Sequence, residues 1–97
     1  MSPLPTVSSQ VRHEPDQQRF AATIDGHLCV ADYRLAAGVM QMVHTEVDPT
    51  LQGRGVAAAL VEAALNHARS TRLRVDPVCS YVRGYMARHP HTQDLLA

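Results

Sequence analysis

The chain has 97 residues, enough for one small domain, and with 45% hydrophobic but only 4% aromatic residues its core must be aliphatic. Nine basic residues, all of them Arg, cancel nine acidic ones, so the net charge gives no reason to expect a nucleic acid or an anionic membrane as partner. The chain has two cysteines, no apolar run long enough to cross a bilayer and no signal-peptide pattern. We therefore expect a reduced, cytoplasmic domain, and a monomer is slightly favoured.

The first half of the chain has the two-residue period of β-strands. Four strands are predicted, at residues 10–14, 19–24, 27–34 and 39–47. Asp25-Gly26, between the second and third strands, has the sequence of a tight hairpin turn, so we expect an antiparallel four-strand meander. Alternation in the fourth strand places four side chains on one face, those of Met40, Met42, His44 and Glu46. Residues 1–9, rich in Pro and Ser, are expected to form a flexible tail.

The second half of the chain changes to a helical period. An alanine-rich helix is predicted from Gly55 to about Ser70, followed by a fifth strand at residues 72–76 and a second helix from Pro77 to about His89. A connecting helix makes the fifth strand parallel to the fourth. The sequence therefore predicts an α/β (α+β) domain over residues 10–91, with the order β-β-β-β-α-β-α, and a short C-terminal tail at residues 92–97.

The segment between the fourth strand and the first helix carries two glycines, Gly53 and Gly55. Glycine permits positive φ and lets a ligand approach the backbone, and the first amides of a helix have no partner within it. Because the helix dipole adds positive potential there, the segment indicates a phosphate-bearing ligand. The lysine of a P-loop is absent, and Ala58 stands at the position of the third glycine of a dinucleotide fingerprint.

Three stretches, in this order and spacing, carry a resemblance to a known family. They are His44-Thr45-Glu46-Val47, then Gln52-x-x-Gly55-x-Ala57 after the strand end Val47-Asp48-Pro49, then Pro77-Val78-Cys79-Ser80-Tyr81 after the helix. Over about residues 10–91 the chain resembles the Gcn5-related N-acetyltransferases (GNAT), and in particular their small single-domain branch.

The resemblance implies acetyl-CoA as the cosubstrate, an unidentified amine as the acceptor, and no metal. The diphosphate of acetyl-CoA would lie on the glycine-containing loop, and its pantetheine arm would follow the end of the fourth strand. The implied cofactor-binding residues are Glu46, Val47, Gln52, Gly53, Arg54, Gly55, Val56, Ala57 and Ala58. The long helices with which larger members bind the acceptor are missing after the first strand.

Cys79 is the leading catalytic candidate. If Asp76 caps the second helix, the thiol lies in its first turn; if the strand continues through Pro77, Cys79 or Ser80 is the cap. In both cases the sulfur lies near the positive end of a helix, which favours the thiolate. The resembled family has a cysteine here, facing the thioester, where it would act as a nucleophile or as the acid that protonates the departing CoA. Cys29, in mid-strand, is interpreted as a packing residue.

His44 is the second catalytic candidate. It lies just before the loop, the resembled family has a histidine at this place, and it could be the base for the acceptor or the partner of Cys79. Glu46 is the alternative base, and Tyr81 and Tyr85 are interpreted as packing residues. No other histidines have the spacing of a metal-ligand set, so no metal is predicted.

Two non-catalytic functions stay open beside acyl transfer. Because no acceptor cleft is evident, the domain could be a regulatory module that binds acyl-CoA without turnover, or an interaction domain with a vestigial loop. Tight CoA binding without amine acetylation would distinguish the first, and absence of CoA binding would distinguish the second.

Overall fold

Five strands form a single mixed sheet in the computed structural model, which describes residues 7–97. The strands are β1 (Arg12–Glu14), β2 (Arg19–Ile24), β3 (His27–Ala36), β4 (Val39–Glu46) and β5 (Arg74–Pro77), and the α-helices are α1 (Val56–Ser70) and α2 (Ser80–Arg88). Short 3-10 helices cover Ser8–Gln10, Pro15–Gln17, Pro49–Leu51 and Pro90–Leu95. The strands lie in chain order, antiparallel from β1 to β4, with β5 parallel to β4. This confirms the predicted meander, its parallel fifth strand and the order β-β-β-β-α-β-α.

Both α-helices share one hydrophobic core with one face of the sheet. Alternate residues of β2, β3 and β4 point into this core, and so do the apolar stripes of α1 and α2. The largest fully buried side chains include Met40, Met42, Leu51, Leu60 and Met86. The opposite face of the sheet is covered by neither α-helix. Within residues 7–97, no helix is long and apolar enough to cross a membrane.

A β-bulge at Val43 interrupts the regular alternation of β4. Asp32 on β3 pairs with His44, whereas the next residue, Tyr33, pairs with Met42. Val43 is therefore an extra residue on β4 without a partner on β3. An inserted residue moves every following side chain to the other face of the sheet.

The bulge reverses part of the predicted pattern in β4. Upstream of it, both methionines of the strand are fully buried. Downstream of it, Thr45 and Val47 lie on the helix-covered side, and His44 and Glu46 are exposed on the opposite face. The expectation that His44 and Glu46 share the face of the methionines is wrong, because it assumed an uninterrupted period of two.

Of the two predicted positions for the start of α2, the structure shows the later one, in which Asp76 is not the helix cap. The strand continues through Pro77, and α2 begins at Ser80 with Cys79 as its N-cap. The N–H of Cys79 donates to the carbonyl of Met42 at 2.8 Å, which connects the start of α2 to β4. Cys79 is therefore the capping residue, not a member of the first helical turn.

The N-terminal segment lies partly against the domain. Residues 1–6 of the predicted tail are outside the described residues. Val7 packs against the core, and Ser8–Gln10 form a 3-10 helix that leads into β1. The described part of the segment thus contacts the domain instead of extending away from it.

The C-terminal residues 92–97, expected to form a tail, also pack on the domain. Leu95 is buried, and Leu96 forms a parallel bridge with Val75 of β5. Arg69 of α1 pairs with Asp94, with Nη1 2.7 Å from Oδ2. The tail assignment is corrected accordingly: an apolar side chain and an ion pair hold this segment on the fold.

Candidate functional site

A cleft of about 540 Å³ opens at the C-terminal end of β4. Its wall combines the end of β4, the following loop, the first turn of α1 and one side chain of α2. The predicted cofactor-binding residues that line it are Val47, Gln52, Gly53, Gly55, Val56, Ala57 and Ala58. The other lining residues are Thr45, Leu51 and Tyr81.

The cleft exists because β4 and β5 separate at the bulge. Their parallel pairing ends at Met42 and Pro77, followed by the hydrogen bond from Cys79 to Met42. From His44 to Glu46, β4 is paired with β3 on one side, and β5 does not continue on the other. An extended ligand that carries amide groups, such as a pantetheine arm, can form hydrogen bonds with such a strand edge.

The loop between β4 and α1 has a conformation that needs its glycines. Gly53 has a φ of 83° and Gly55 a φ of 78°, and a Cβ on either would meet no atom within 4 Å. The glycines therefore serve the backbone conformation and not internal packing. At the start of the loop, the Asp48 carboxylate accepts hydrogen bonds from the Thr50 amide at 2.9 Å and the Thr50 hydroxyl at 2.6 Å, which fixes the turn.

The first turn of α1 presents amides that have no acceptor within the helix. Gly55 is the N-cap and offers no capping side chain, and the Ala59 N–H donates to the Gly55 carbonyl at 3.0 Å. The amides of Val56, Ala57 and Ala58 precede this first intrahelical bond and are left without a partner in α1. Reinforced by the dipole of a 15-residue helix, they fit the oxygens of a diphosphate.

Two of the predicted cofactor-binding side chains do not line the cleft. Arg54 instead pairs with Asp25 in the β2–β3 turn, with Nη1 2.5 Å from Oδ2. Glu46 is exposed on the far face of β4, where its carboxylate lies 3.8 Å from Nε2 of His44. In this structure only the main chains of Arg54 and Glu46 are next to residues of the cleft wall.

Cys79 lies beside the cleft and is partly buried. Its thiol donates to the hydroxyl oxygen of Thr45, a lining residue, at 3.6 Å. Burial raises the pKa of the thiol, but the amides of Val82 and Tyr81 and the hydroxyl and amide of Thr45 lower it, and the net pKa is below its ordinary value. This is the direction predicted for a thiol at the start of a helix. Cys29 is fully buried in β3.

The structure does not bring His44 and Cys79 together. The side chain of His44 is 58% exposed and lines a separate groove of about 760 Å³ on the uncovered face, with Asp32 and Val43. The adjacent residue, Thr45, contacts Cys79, and successive strand residues point to opposite faces. A partnership of His44 with the thiol therefore has no geometric support, whereas a role toward an acceptor on the uncovered face is compatible with its position.

Sequence reasoning misses three residues of the cleft. A regular period of two would place Thr45 on the face opposite the methionines, and Leu51 has no polar group that suggests a ligand. Tyr81, interpreted from the sequence as a packing residue, lines the cleft, and burial raises the pKa of its hydroxyl. Its place two residues after Cys79, in the first turn of the same helix, is the signal that could have found it. Tyr85 is buried and stacks on His89, with ring centroids 3.9 Å apart.

The histidines of the first strand and of α1 take part in ring packing. His13 stacks on Phe20 with 4.3 Å between ring centroids, and its Nε2 lies 2.5 Å from the hydroxyl of Tyr33. The ring of His67 lies 4.4 Å from that of His13. Among residues 7–97, no group of three His, Cys, Asp or Glu side chains could hold a metal ion.

Several vertebrate proteins are similar to the chain over most of their length. NATD1 of Xenopus tropicalis is 26% identical over 95 residues, which cover 94% of this chain and 86% of that protein. NATD1 of Gallus gallus is 28% identical over 90 residues, covering 89% and 81%. NATD1 of Homo sapiens is 27% identical over 90 residues, covering 89% and 79%.

The fold also has a counterpart among solved structures, the NMR solution structure of a GCN5-like protein from Staphylococcus aureus. The two match with a TM-score of 0.73 and 24% identity, over 90% of this chain and 86% of that one, which shows a shared architecture. The sequence profile of the family described as GCN5-related N-acetyl-transferase matches residues 19–95, from the start of β2 to the last 3-10 helix. The chain belongs to the GCN5-related N-acetyltransferase family.

Proposed function

We propose that the protein transfers the acetyl group of acetyl-CoA to an amine. The observation that carries the proposal is the cleft at the end of β4, where the unpartnered amides of α1 adjoin the open edge of β4. A diphosphate needs anion-binding amides and a pantetheine arm needs an extended edge, and the cleft offers both. Membership in the N-acetyltransferase family supports the same ligand.

In this proposal the loop and the first turn of α1 hold the diphosphate of acetyl-CoA. The amides of Val56, Ala57 and Ala58 supply the donors, because those of Gln52 and Arg54 already donate to Pro49 and Leu51, and the side chains that line the cleft are uncharged. The pantetheine arm follows the main chain of Glu46 and Val47. A cleft of about 540 Å³ is within the size range of small-molecule sites.

The thioester would lie beside Cys79. Acetyl transfer breaks the thioester C–S bond, forms a C–N bond, and moves one proton from the amine to the CoA thiolate. The groups around the sulfur lower the pKa of the Cys79 thiol and so favour the thiolate. We assign this sulfur the role of nucleophile: it forms a thioester with the acetyl group as the C–S bond to CoA breaks, and the amine then takes the acetyl group and releases the Cys79 thiol. Tyr81 lines the same cleft with a raised pKa, and it is our candidate for the acid that protonates the departing CoA.

The acceptor amine must lose a proton to become a nucleophile. His44 is our candidate base, acting from the uncovered face of the sheet, and Glu46, 3.8 Å from its ring, can orient it. An amine that approaches from this face would meet the acetyl group where β4 and β5 separate.

Two measurements test the proposal. Calorimetry with acetyl-CoA and with CoA reports binding, and release of the free CoA thiol reports transfer to small amines, polyamines and peptides with a free N-terminus. We expect one acetyl-CoA per chain, and thiol release that needs both acetyl-CoA and an amine. Failure to bind either acetyl-CoA or CoA would refute the proposal.

A second candidate is a module that binds acyl-CoA without turnover. One observation favours it: neither α-helix covers the face of the sheet that carries His44, so within residues 7–97 neither of them encloses an acceptor there. Saturable CoA binding, with no thiol release above the rate of acetyl-CoA hydrolysis for any amine, would select this candidate.

A further inference from the structure

An ion pair that the proposed function does not use connects the cofactor loop to the β2–β3 hairpin. Nη1 of Arg54 lies 2.5 Å from Oδ2 of Asp25, and the two side chains are 47% and 66% exposed. A second contact lies at the start of the loop, where Nδ1 of His27 is 3.2 Å from Oδ2 of Asp48. The tip of the hairpin therefore touches the loop both before its glycines and between them.

Arg54 lies in the middle of the cofactor loop, but its charged side chain does not contact the cleft. Its main chain lies between Gly53 and Gly55, both of which line the cleft, but its side chain is not part of the wall. The sequence from Val43 to Leu60 contains no other Arg and no Lys. By rotating its side chain, Arg54 can bring its guanidinium to a phosphate that is bound on the neighbouring amides. Phosphates and carboxylates are the two kinds of group that a guanidinium binds best.

We propose that Asp25 is an exchangeable counter-ion of Arg54: it holds the guanidinium in the free protein, and a phosphate of CoA displaces it. The inference rests on the proposed function, because the displacing group belongs to CoA. Exposed ion pairs of this kind contribute little to stability, so the exchange costs little free energy and needs only side-chain rotation. Asp25 then sets the affinity of the loop, since each CoA that binds must first take Arg54 from it.

Asp25→Asn is the variant that isolates this role. Asp25 has a φ of 49° and precedes Gly26 with a φ of 80°, and Asn is favoured before glycine in such a turn, so the hairpin is retained. The variant leaves Arg54 without a competing carboxylate, and we expect CoA to bind about two- to fivefold more tightly. A structural defect would weaken binding, so a gain separates exchange from damage.

A double-mutant cycle supplies the decisive comparison. Calorimetric titration with CoA is carried out on the parent, Asp25→Asn, Arg54→Gln and the double variant. Arg54→Gln is expected to bind more weakly, and Asp25→Asn should bring no gain when Arg54 is already replaced. Asp16→Asn makes the same charge change on an exposed residue before β2 and should leave the Kd within about twofold.

Four results would overturn the inference. Weaker binding by Asp25→Asn would mean that Asp25 positions Arg54 for the ligand instead of competing with it. An equal gain in the Arg54→Gln background would mean that Asp25 repels the phosphates directly. An unchanged Kd, in a protein that binds CoA, would remove the exchange while the proposed function stands, whereas a parent protein that binds no CoA refutes both.

Discussion

A carboxylate on the first turn of α1 is the sharpest test of the anion site. Ala57 lines the cleft and is the second residue after the N-cap Gly55. In Ala57→Glu, a carboxylate about 5 Å from a bound phosphate would repel it by about 0.8 kcal/mol in water and about 3 kcal/mol at an effective dielectric constant of about 20. The cleft lies between these limits, so we expect a loss of about 2 kcal/mol, or about 30-fold in the Kd for CoA.

The same change should leave the protein folded. Replacing Ala by Glu costs a few tenths of a kcal/mol in helix propensity, and a carboxylate in the first turn gains about 0.3–1 kcal/mol from the dipole. Ala57→Gln is the matched control, because it adds nearly the same volume without the charge. Calorimetry with CoA reports the affinity, and thermal unfolding reports the stability. A Kd for Ala57→Glu within about threefold of that for Ala57→Gln would refute the electrostatic reasoning.

Three further predictions concern the thiol of Cys79 and the half-buried His13. Cys79→Ser should lower the acetylation rate by about 100-fold or more while the Kd for CoA changes less than about twofold, and a parental rate would make Cys79 a packing residue. Thr45→Val should slow labelling of Cys79 by iodoacetamide at neutral pH and move its rate–pH profile upward, because the Thr45 hydroxyl lowers the pKa of the thiol; an unchanged profile would contradict this. Burial, and then the charge of His67, lower the pKa of His13 in the folded state. The unfolded chain therefore binds this proton more readily, and folding stability is lost as the pH falls below about 6.5. Urea unfolding at about pH 7.5 and about pH 5.5 should show a weaker pH dependence for His13→Gln than for the parent, and equal dependence would refute the assignment.

Features that a few neighbouring residues determine are predictable from the sequence. The change of period after Gly53 predicts the start of α1 to within one residue, since the helix begins at Val56. The Asp25-Gly26 pair predicts the hairpin, and both residues have the positive φ that its turn requires. The glycine-containing loop is equally local, which is why most of the residues expected to hold a diphosphate line the cleft.

Features that depend on distant partners are not predictable in this way. No glycine marks the bulge at Val43, because its position follows from how β3 pairs with β4. The C-terminal segment lacks a strong periodic pattern. In the folded protein, however, Leu96 forms a β-bridge with Val75, and Asp94 forms an ion pair with Arg69. These contacts join residues that are far apart in the sequence, so local propensity gives no signal for them.

One inserted residue accounts both for the cleft and for the residues beside it. The bulge at Val43 coincides with the point where β4 leaves β5, just after Met42, and this separation opens the strand edge that a ligand can use. The same insertion turns Thr45 toward Cys79 and His44 toward the uncovered face. A regular strand would place His44 on the side of the thiol and allow the β4–β5 ladder to continue, which would leave no open strand edge at the cleft. Motif spacing leaves two roles open for His44, toward the thiol or toward an acceptor, and the irregularity of the strand, which motif spacing does not reveal, favours the second.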